Sequence, residues 1–301
     1  MANNELKEFN SKDIISETSD MKSYIEQLLS NLREDTEVYE IIKPLGLTNR
    51  EVRENIGKIA DFQEDYNVCK NCPGYNKCPK ASKHISMYIY KDGNYVTTRY
   101  EPCSKAIEQA KLDAKYLFAE FPNEWKKSTL KKLDLSENRR PIIKEFVNIA
   151  KGKSSRWLYV TGNHKIGKSY LLITFANEFI AMNLGQVAVI NAVSKFKELA
   201  DMAYSDKEGF KAELNALCNV PLLVIDDFGE EYKNEFTRDS VVIPILSERN
   251  HNNKLTFFSS DFTIAEVQKL YSIGKNGGEI RGKQLGKILL EMCEKEFDLT
   301  G

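Results

Sequence analysis

The sequence predicts an α/β fold, a parallel sheet with flanking helices, entered after a smaller helical and cysteine-bearing region. Three observations carry that expectation. An apolar run at 157–160 leads into Gly162, four further residues, then Gly167, Lys168 and Ser169, which is the strand, glycine loop and helix order of a phosphate loop. Pro221-Leu222-Leu223-Val224-Ile225-Asp226-Asp227 is a continuous apolar run ending in two carboxylates. Such a run is a strand buried on both faces, with ligands meeting its carboxyl end. Four of the six cysteines crowd into residues 69 to 103, and that clustering asks for a chemical reason.

Composition bounds the rest. The chain has 301 residues, room for two domains of ~150 residues each. A net charge of -1 excludes a protein that is a polycation throughout. With 29% charged and 42% hydrophobic residues the balance is that of an ordinary globular protein. No apolar run reaches the ~18 residues of a membrane span, and MANNELKEFN lacks the blocks of a signal peptide. A cytoplasmic, membrane-free protein is expected, and in that compartment clustered cysteines more often hold metal than form disulfides.

Residues 1–16 read as a loose polar stretch. Thr18, Ser19 and Asp20 offer caps for a helix striped by Met21, Tyr24, Ile25, Leu28, Leu29 and Leu32, apolar at spacings of three and four. A short helix at 38–42 is stopped by Pro44 and Gly46. Thr48 and Glu51 form a capping box for one helix carrying Val52, Ile56, Ile59 and Phe62. Each stripe reads first as local core and, more sharply, as a partner-binding face.

Cys69 and Cys72 then make a C-x-x-C knuckle, with Cys78, His84 and Cys103 following. A short knuckle lets two thiolates face one tetrahedral ion. Strands at 85–90 and 95–100, joined at Asp92-Gly93, would return Cys103 to the knuckle. Five donors thus compete for four places around a zinc ion that would help so short a segment fold. An iron–sulfur cluster is the minor alternative.

Residues 104–121 read as a helix ended by Pro122. Residues 122–156 read as a basic linker and a helix leading into the sheet, with ten Lys or Arg against four Asp or Glu. A solvated face is the plain reading of that charge, a nucleic-acid contact the sharper one. Strands and helices then alternate: strands at 187–192 and 255–260, helices at 195–204, 210–217 and 237–249.

The chemistry follows from the loop. Backbone N–H groups and the helix dipole would cradle a triphosphate, making Gly162, Asn163, His164, Lys165, Ile166, Gly167, Lys168, Ser169 and Tyr170 the ATP-binding residues. Lys168 would reach the outer phosphates. Ser169 and Asp226 would hold magnesium, and Asp227 would orient an attacking water. Ser259, Ser260 and Asp261, at the end of the third strand, are candidates to sense the last phosphate, with Ser260 placed in the catalytic group beside Asp227 and Arg238. Asp227 is shorter than a glutamate, so slow hydrolysis is expected, a nucleotide switch more than a fast enzyme.

GNHKIGKSYLL followed by ANE, LLVIDDFGEEYKNEFTRD followed by SERN, and FFSSDF behind a Cys/His cluster resemble the bacterial helicase loaders of the DnaC/IstB-like AAA+ ATPases over nearly the whole chain. The resemblance implies a helical, zinc-binding, helicase-interaction domain at 1–121, the basic linker at 122–156, and an AAA+ ATPase domain with little or no lid at 157–301. It implies a hexameric replicative helicase and single-stranded DNA as partners, and self-association through the ATPase domains. It further implies Cys69, Cys72, His84 and Cys103 as zinc ligands, with Cys78 left over. DNA contact is expected on the 195–217 helices, at residues such as Lys195 and Phe196. An IstB-like transposition helper is the alternative; a zinc-dependent transcription regulator lacks a helix-turn-helix signature. Three departures from the family pattern stand out: His164 and Lys165 crowd the loop, Asp261 replaces a usual Asn, and Lys283 and Lys287 stand where two arginines are usual, with Arg281 nearby. Arg238 and Arg249 are then the remaining candidates to reach a neighbouring subunit's nucleotide.

Overall fold

The computed structural model describes residues 19–93, 95–275 and 277–300. The chain forms two compact units, Met1–Lys111 and Leu112–Gly301. The expected loose stretch at 1–16 and the Thr18 cap lie outside the described residues.

In the first unit, α1 (Ser19–Glu34) and α2 (Thr36–Ile42) are followed by a left-handed stop at Gly46. The Thr48–Glu51 capping box is present, the Thr48 hydroxyl accepting from Glu51 N–H at 3.2 Å while Thr48 N–H donates to the Glu51 carboxylate at 2.7 Å. The helix it starts is two helices, not one: α3 (Asn49–Glu54) and α4 (Ile56–Lys70) break at Asn55. The Asn55 amide bonds back to the Glu51 carbonyl at 2.9 Å, a local competition with the helix ladder typical of Asn. An antiparallel hairpin follows, β1 (Ile85–Asp92) and β2 (Tyr95–Pro102), turning through Gly93 at φ 58. Leu29, Leu32, Val38, Ile42, Ile56, Ile59, Phe62, Ile89 and Val96 close one core, so the α1 stripe turns Leu29 and Leu32 inward while Met21 and Tyr24 stay exposed.

Helix α5 (Ser104–Asp113) ends earlier than the sequence suggests, because residues 116–119 are a strand. This β3 (Tyr116–Ala119) pairs in parallel at the edge of the main sheet, Val187 N–H donating to the Lys115 carbonyl at 3.1 Å. Tyr116 and the partly buried Phe118 pack against the two opposite cores, a period-2 feature that the helical reading overran. The 122–156 stretch contains α6 (Arg139–Ala150), whose Ile142 and Phe146 are buried.

The sheet continues with β4 (Leu158–Thr161), α7 (Lys168–Ala181), β5 (Val187–Asn191), α8 (Ala192–Ser205), α9 (Lys207–Asn219) and β6 (Leu222–Asp226). A π-helical turn (Thr237–Val242) runs into α10 (Ile243–His251), then come β7 (Leu255–Ser260), α11 (Ile264–Leu270), α12 (Gly278–Met292) and β8 (Glu296–Asp298). Six parallel strands lie in the order β3-β5-β6-β7-β4-β8. β6 is central and its first four residues are buried, which is why it reads as an unbroken apolar run. Two cores cover the two faces; Phe146 stacks on Phe175 of α7 at 4.3 Å in one, and Phe228, Phe258 and Tyr271 cluster in the other. Leu285 and Leu289 of α12 join the second core, so these last helices pack onto the sheet. No helix among the described residues is long and apolar enough to cross a membrane.

Candidate nucleotide site and cysteine cluster

Strand order brings β4, β6 and β7 side by side, so their carboxyl ends converge. The phosphate loop leaves β4 through Gly162 at φ 140 and enters α7 through Gly167 at φ 95. Both values lie where side chains are strained. A Cβ on Gly167 would also sit 3.0 Å from the Arg139 guanidinium. Lys165 takes φ 63, so the loop accommodates the expected crowding by a left-handed residue. A cavity of about 380 Å³ opens here, lined by Trp125, His164, Lys165, Gly167, Lys168, Ser169, Tyr170 and Asp227.

Lys168 is 5% exposed, and its ammonium donates to the carbonyls of Gly162 at 2.7 Å and Asn163 at 3.1 Å and to Asp261 at 2.5 Å. Asp226 accepts hydrogen bonds from Ser259 and Ser169. Burial raises the Asp226 carboxyl above its ordinary value, against those bonds and against Lys168. A hydroxyl and a half-buried carboxylate side by side are the donors a hard divalent cation takes. Asp227 adopts φ 55, with its N–H on the Ser259 hydroxyl at 3.1 Å and its carboxylate accepting from the Asn191 amide at 2.8 Å. That strained backbone aims Asp227 into the cavity.

The strand-end candidates separate. Asp261 reaches Lys168, and Ser259 bridges Asp226 and Asp227. Ser260 is fully buried and turned away, donating to the Phe228 carbonyl at 2.5 Å and accepting from Phe262 N–H at 3.0 Å. Arg238 is 2% exposed, held by Asp239 at 2.7 Å and by the Tyr271 carbonyl at 3.2 Å. Arg249 is fully buried against carbonyls at the end of α9. Neither arginine faces outward, because each satisfies backbone carbonyls of its own chain. Arg281 and Lys283 are exposed but paired with Asp239 and Glu279. Lys195 and Phe196 are 3% and 1% exposed. Lys195 is enclosed by Glu120, Glu198 and Glu213, so the expectation that these two touch DNA is corrected: an amphipathic helix buries them in the sheet's core.

Sequence reasoning missed Arg139, Trp125 and Asn191. Arg139 donates to the Ile166 carbonyl at 3.2 Å, bracing the loop. Trp125 stands edge-on to Tyr170 at 5.4 Å in the cavity wall. The Asn191 side chain also caps α8 through Val193 and Ser194 N–H. Only Asn191 left a signal, a cap residue ending an apolar run.

In the first unit, the five metal candidates are all half-buried, and backbone bonds link them as two sets, Cys69 with Cys72 and His84 with Cys78 and Cys103. Cys72 N–H bonds the Cys69 carbonyl at 3.1 Å, and Cys103 N–H bonds the His84 carbonyl at 2.9 Å. The Cys78 thiol is lowered by backbone N–H groups of His84 and Lys80. The His84 ring stacks on Tyr75 at 3.8 Å with Nε2 at 2.9 Å from the Tyr75 carbonyl. Ligating imidazoles are oriented in this way, one nitrogen on a carbonyl and the other free. The donor chemistry suits zinc, but the side chains do not converge. Among the described residues, the one trio with ligand atoms mutually within 4.8 Å is His164, Glu230 and Asp261.

No protein-family profile matches the chain. It is 21% identical over 289 residues to the replicative helicase loader DnaI of Bacillus subtilis, covering 91% of each chain. A crystal structure of DnaI superposes with a TM-score of 0.55 at 24% identity, over 62% of this chain and 97% of that one. A primosome component from Streptococcus pyogenes superposes with 0.51 at 23% identity, over 64% and 97%. The α/β fold with its parallel sheet and flanking helices is thus shared with these proteins, and the chain resembles a DnaI-type helicase loader along nearly its entire length.

Proposed function

We propose that this protein is an ATP-dependent loader of the replicative DNA helicase onto single-stranded DNA. The observation that carries the reading is a whole-length similarity to a helicase loader joined to a phosphate loop whose Lys168 and Ser169 line one cavity with Asp227, Ser169 being bonded to Asp226. ATP would lie along the loop with its phosphates toward Lys168, and Trp125 and Tyr170 offer an aromatic wall for its base. Ser169 and Asp226 would hold magnesium, which supplies charge neutralisation at the phosphates. Asp227, held by Asn191, would orient water. Because Asn191 also caps α8, a shift of α8 would loosen or tighten Asp227. The relatives named as a helicase loader and a primosome component favour loading over a transposition helper.

Single-stranded DNA would meet the outer side of α8 and α9, where Lys197, Lys207 and Lys211 are exposed and Tyr204 is 81% exposed. Cation and aromatic face together give sequence-tolerant binding. Residues up to Lys111 would grip a hexameric helicase, and zinc would draw Cys69, Cys72, His84 and Cys103 together to fix the segment around the knuckle. The 112–301 units would associate around DNA when ATP is bound. The test is co-purification of the full chain with the host's replicative helicase, and transfer of that helicase to a single-stranded circle with and without ATP. Helicase capture with ATP-dependent transfer is expected; no capture would refute the reading.

A further inference from the structure

The cation that should await the nucleotide is already engaged. Lys168 is bonded to Asp261 Oδ1 at 2.5 Å in addition to its two loop carbonyls. Asp261 follows the end of β7, and the pairing of β7 with β4 sets it across from the phosphate loop. Its second oxygen lies 4.0 Å from His164 Nδ1. Glu230 stands in the same trio, Asp227 lines the same cavity as Lys168, and Asp226 feels the Lys168 charge while bonded by Ser169. The mouth of the site therefore carries four carboxylates around Lys168. A carboxylate only accepts hydrogen bonds, so Asp261 has nothing to offer an ionised outer phosphate and must give up Lys168 to it.

We propose that Asp261 is an intramolecular counter-anion that competes with the nucleotide's outer phosphate for Lys168, setting both the affinity for ATP and the preference between ATP and ADP. This rests on the nucleotide-site reading above. A nucleotide arriving at Lys168 exchanges one charge-assisted bond for another and gains only the difference. Asp261→Asn keeps the shape and removes the competing charge, while its amide can donate to phosphate. The expected result is ATP binding tighter by about tenfold, the scale of one charge-assisted hydrogen bond, with ADP changed less.

The experiment titrates fluorescent ATP and ADP analogues, with magnesium, into the full-length wild type, Asp261→Asn, Lys168→Ala and the double variant, each checked for a native melt. The double variant should bind ATP no better than Lys168→Ala, because the effect runs through that ammonium. Equal or weaker ATP binding by Asp261→Asn beside a binding wild type would overturn the proposal and make Asp261 a partner of the nucleotide. A gain that survives removal of Lys168 would overturn it too. No ATP binding by any folded variant would overturn the nucleotide reading itself, and the competition with it.

Discussion

Replacing Arg249 with Met separates a structural arginine from one that reaches a neighbouring subunit. Helix α9 ends at Asn219 and Pro221 follows, so the Leu217 carbonyl has no N–H four residues on to accept from. The Arg249 guanidinium supplies donors instead, at 2.6 Å to Leu217, 2.9 Å to Val220 and 2.9 Å to the Thr256 hydroxyl. Burial presses its pKa down to about 9, still high enough to keep the cation at neutral pH, where it also complements the negative end of the α9 dipole. Met fills similar volume but removes the donors of four carbonyls, Leu217, Cys218, Val220 and Leu255. An unpaired carbonyl costs about 1–3 kcal/mol, so the two at the end of α9, Leu217 and Val220, cost about 2–6 kcal/mol together. Relief of the buried cation's desolvation pulls the sum toward the lower end. For a unit of this size that corresponds to a fall in melting temperature of roughly 4–24 °C. Both tryptophans, Trp125 and Trp157, lie in the larger unit, and Trp157 donates to the Lys254 carbonyl at 2.8 Å, beside the altered site. A fluorescence-monitored melt therefore reads the loss directly. An unchanged melt in a variant that has lost ATP turnover would refute the reasoning and restore Arg249 as a residue acting between subunits.

Lys168→Ala should abolish ATP binding while the melt stays native; a tight ATP titration by that folded variant would refute the site. One zinc per chain is expected by elemental analysis, lost in Cys69→Ser and Cys72→Ser and in His84→Ala but kept in Cys78→Ser; the reverse for the last two would make Cys78 the fourth ligand. Asp226 titrates above the ordinary carboxylate value, so its contribution to stability is present below the unfolded pKa and is lost as pH rises through the folded one. Asp226→Asn should therefore not lower the neutral-pH melt of the nucleotide-free protein, yet should weaken magnesium-dependent ATP binding. Wild-type binding should also weaken as pH falls through that raised pKa, which calorimetry along a falling pH series would detect.

The sequence by itself determined the parts whose pattern is local. The loop from Gly162 to Ser169 needs fixed residues at fixed spacing, and β6 is an apolar run because both its faces are covered, so each was legible from the residues alone. The Thr48–Glu51 box and the Asp92-Gly93 hairpin were legible for the same reason, each closing hydrogen bonds within a few residues. Tertiary structure decided what depends on distant chain. Strand β3 owes its form to pairing with β5, and β8 is three residues long, too short to carry a period. Arg238 and Arg249 look on paper like free cations but are spent on carbonyls 29 to 35 residues away. Lys195 and Phe196 look like a DNA contact until α8 turns them inward. The contact of Asp261 with Lys168 spans 93 residues and exists only because β7 lies beside β4. Side-chain chemistry is written in the chain, but which charge meets which is set by strand order, and that order is a property of the folded sheet.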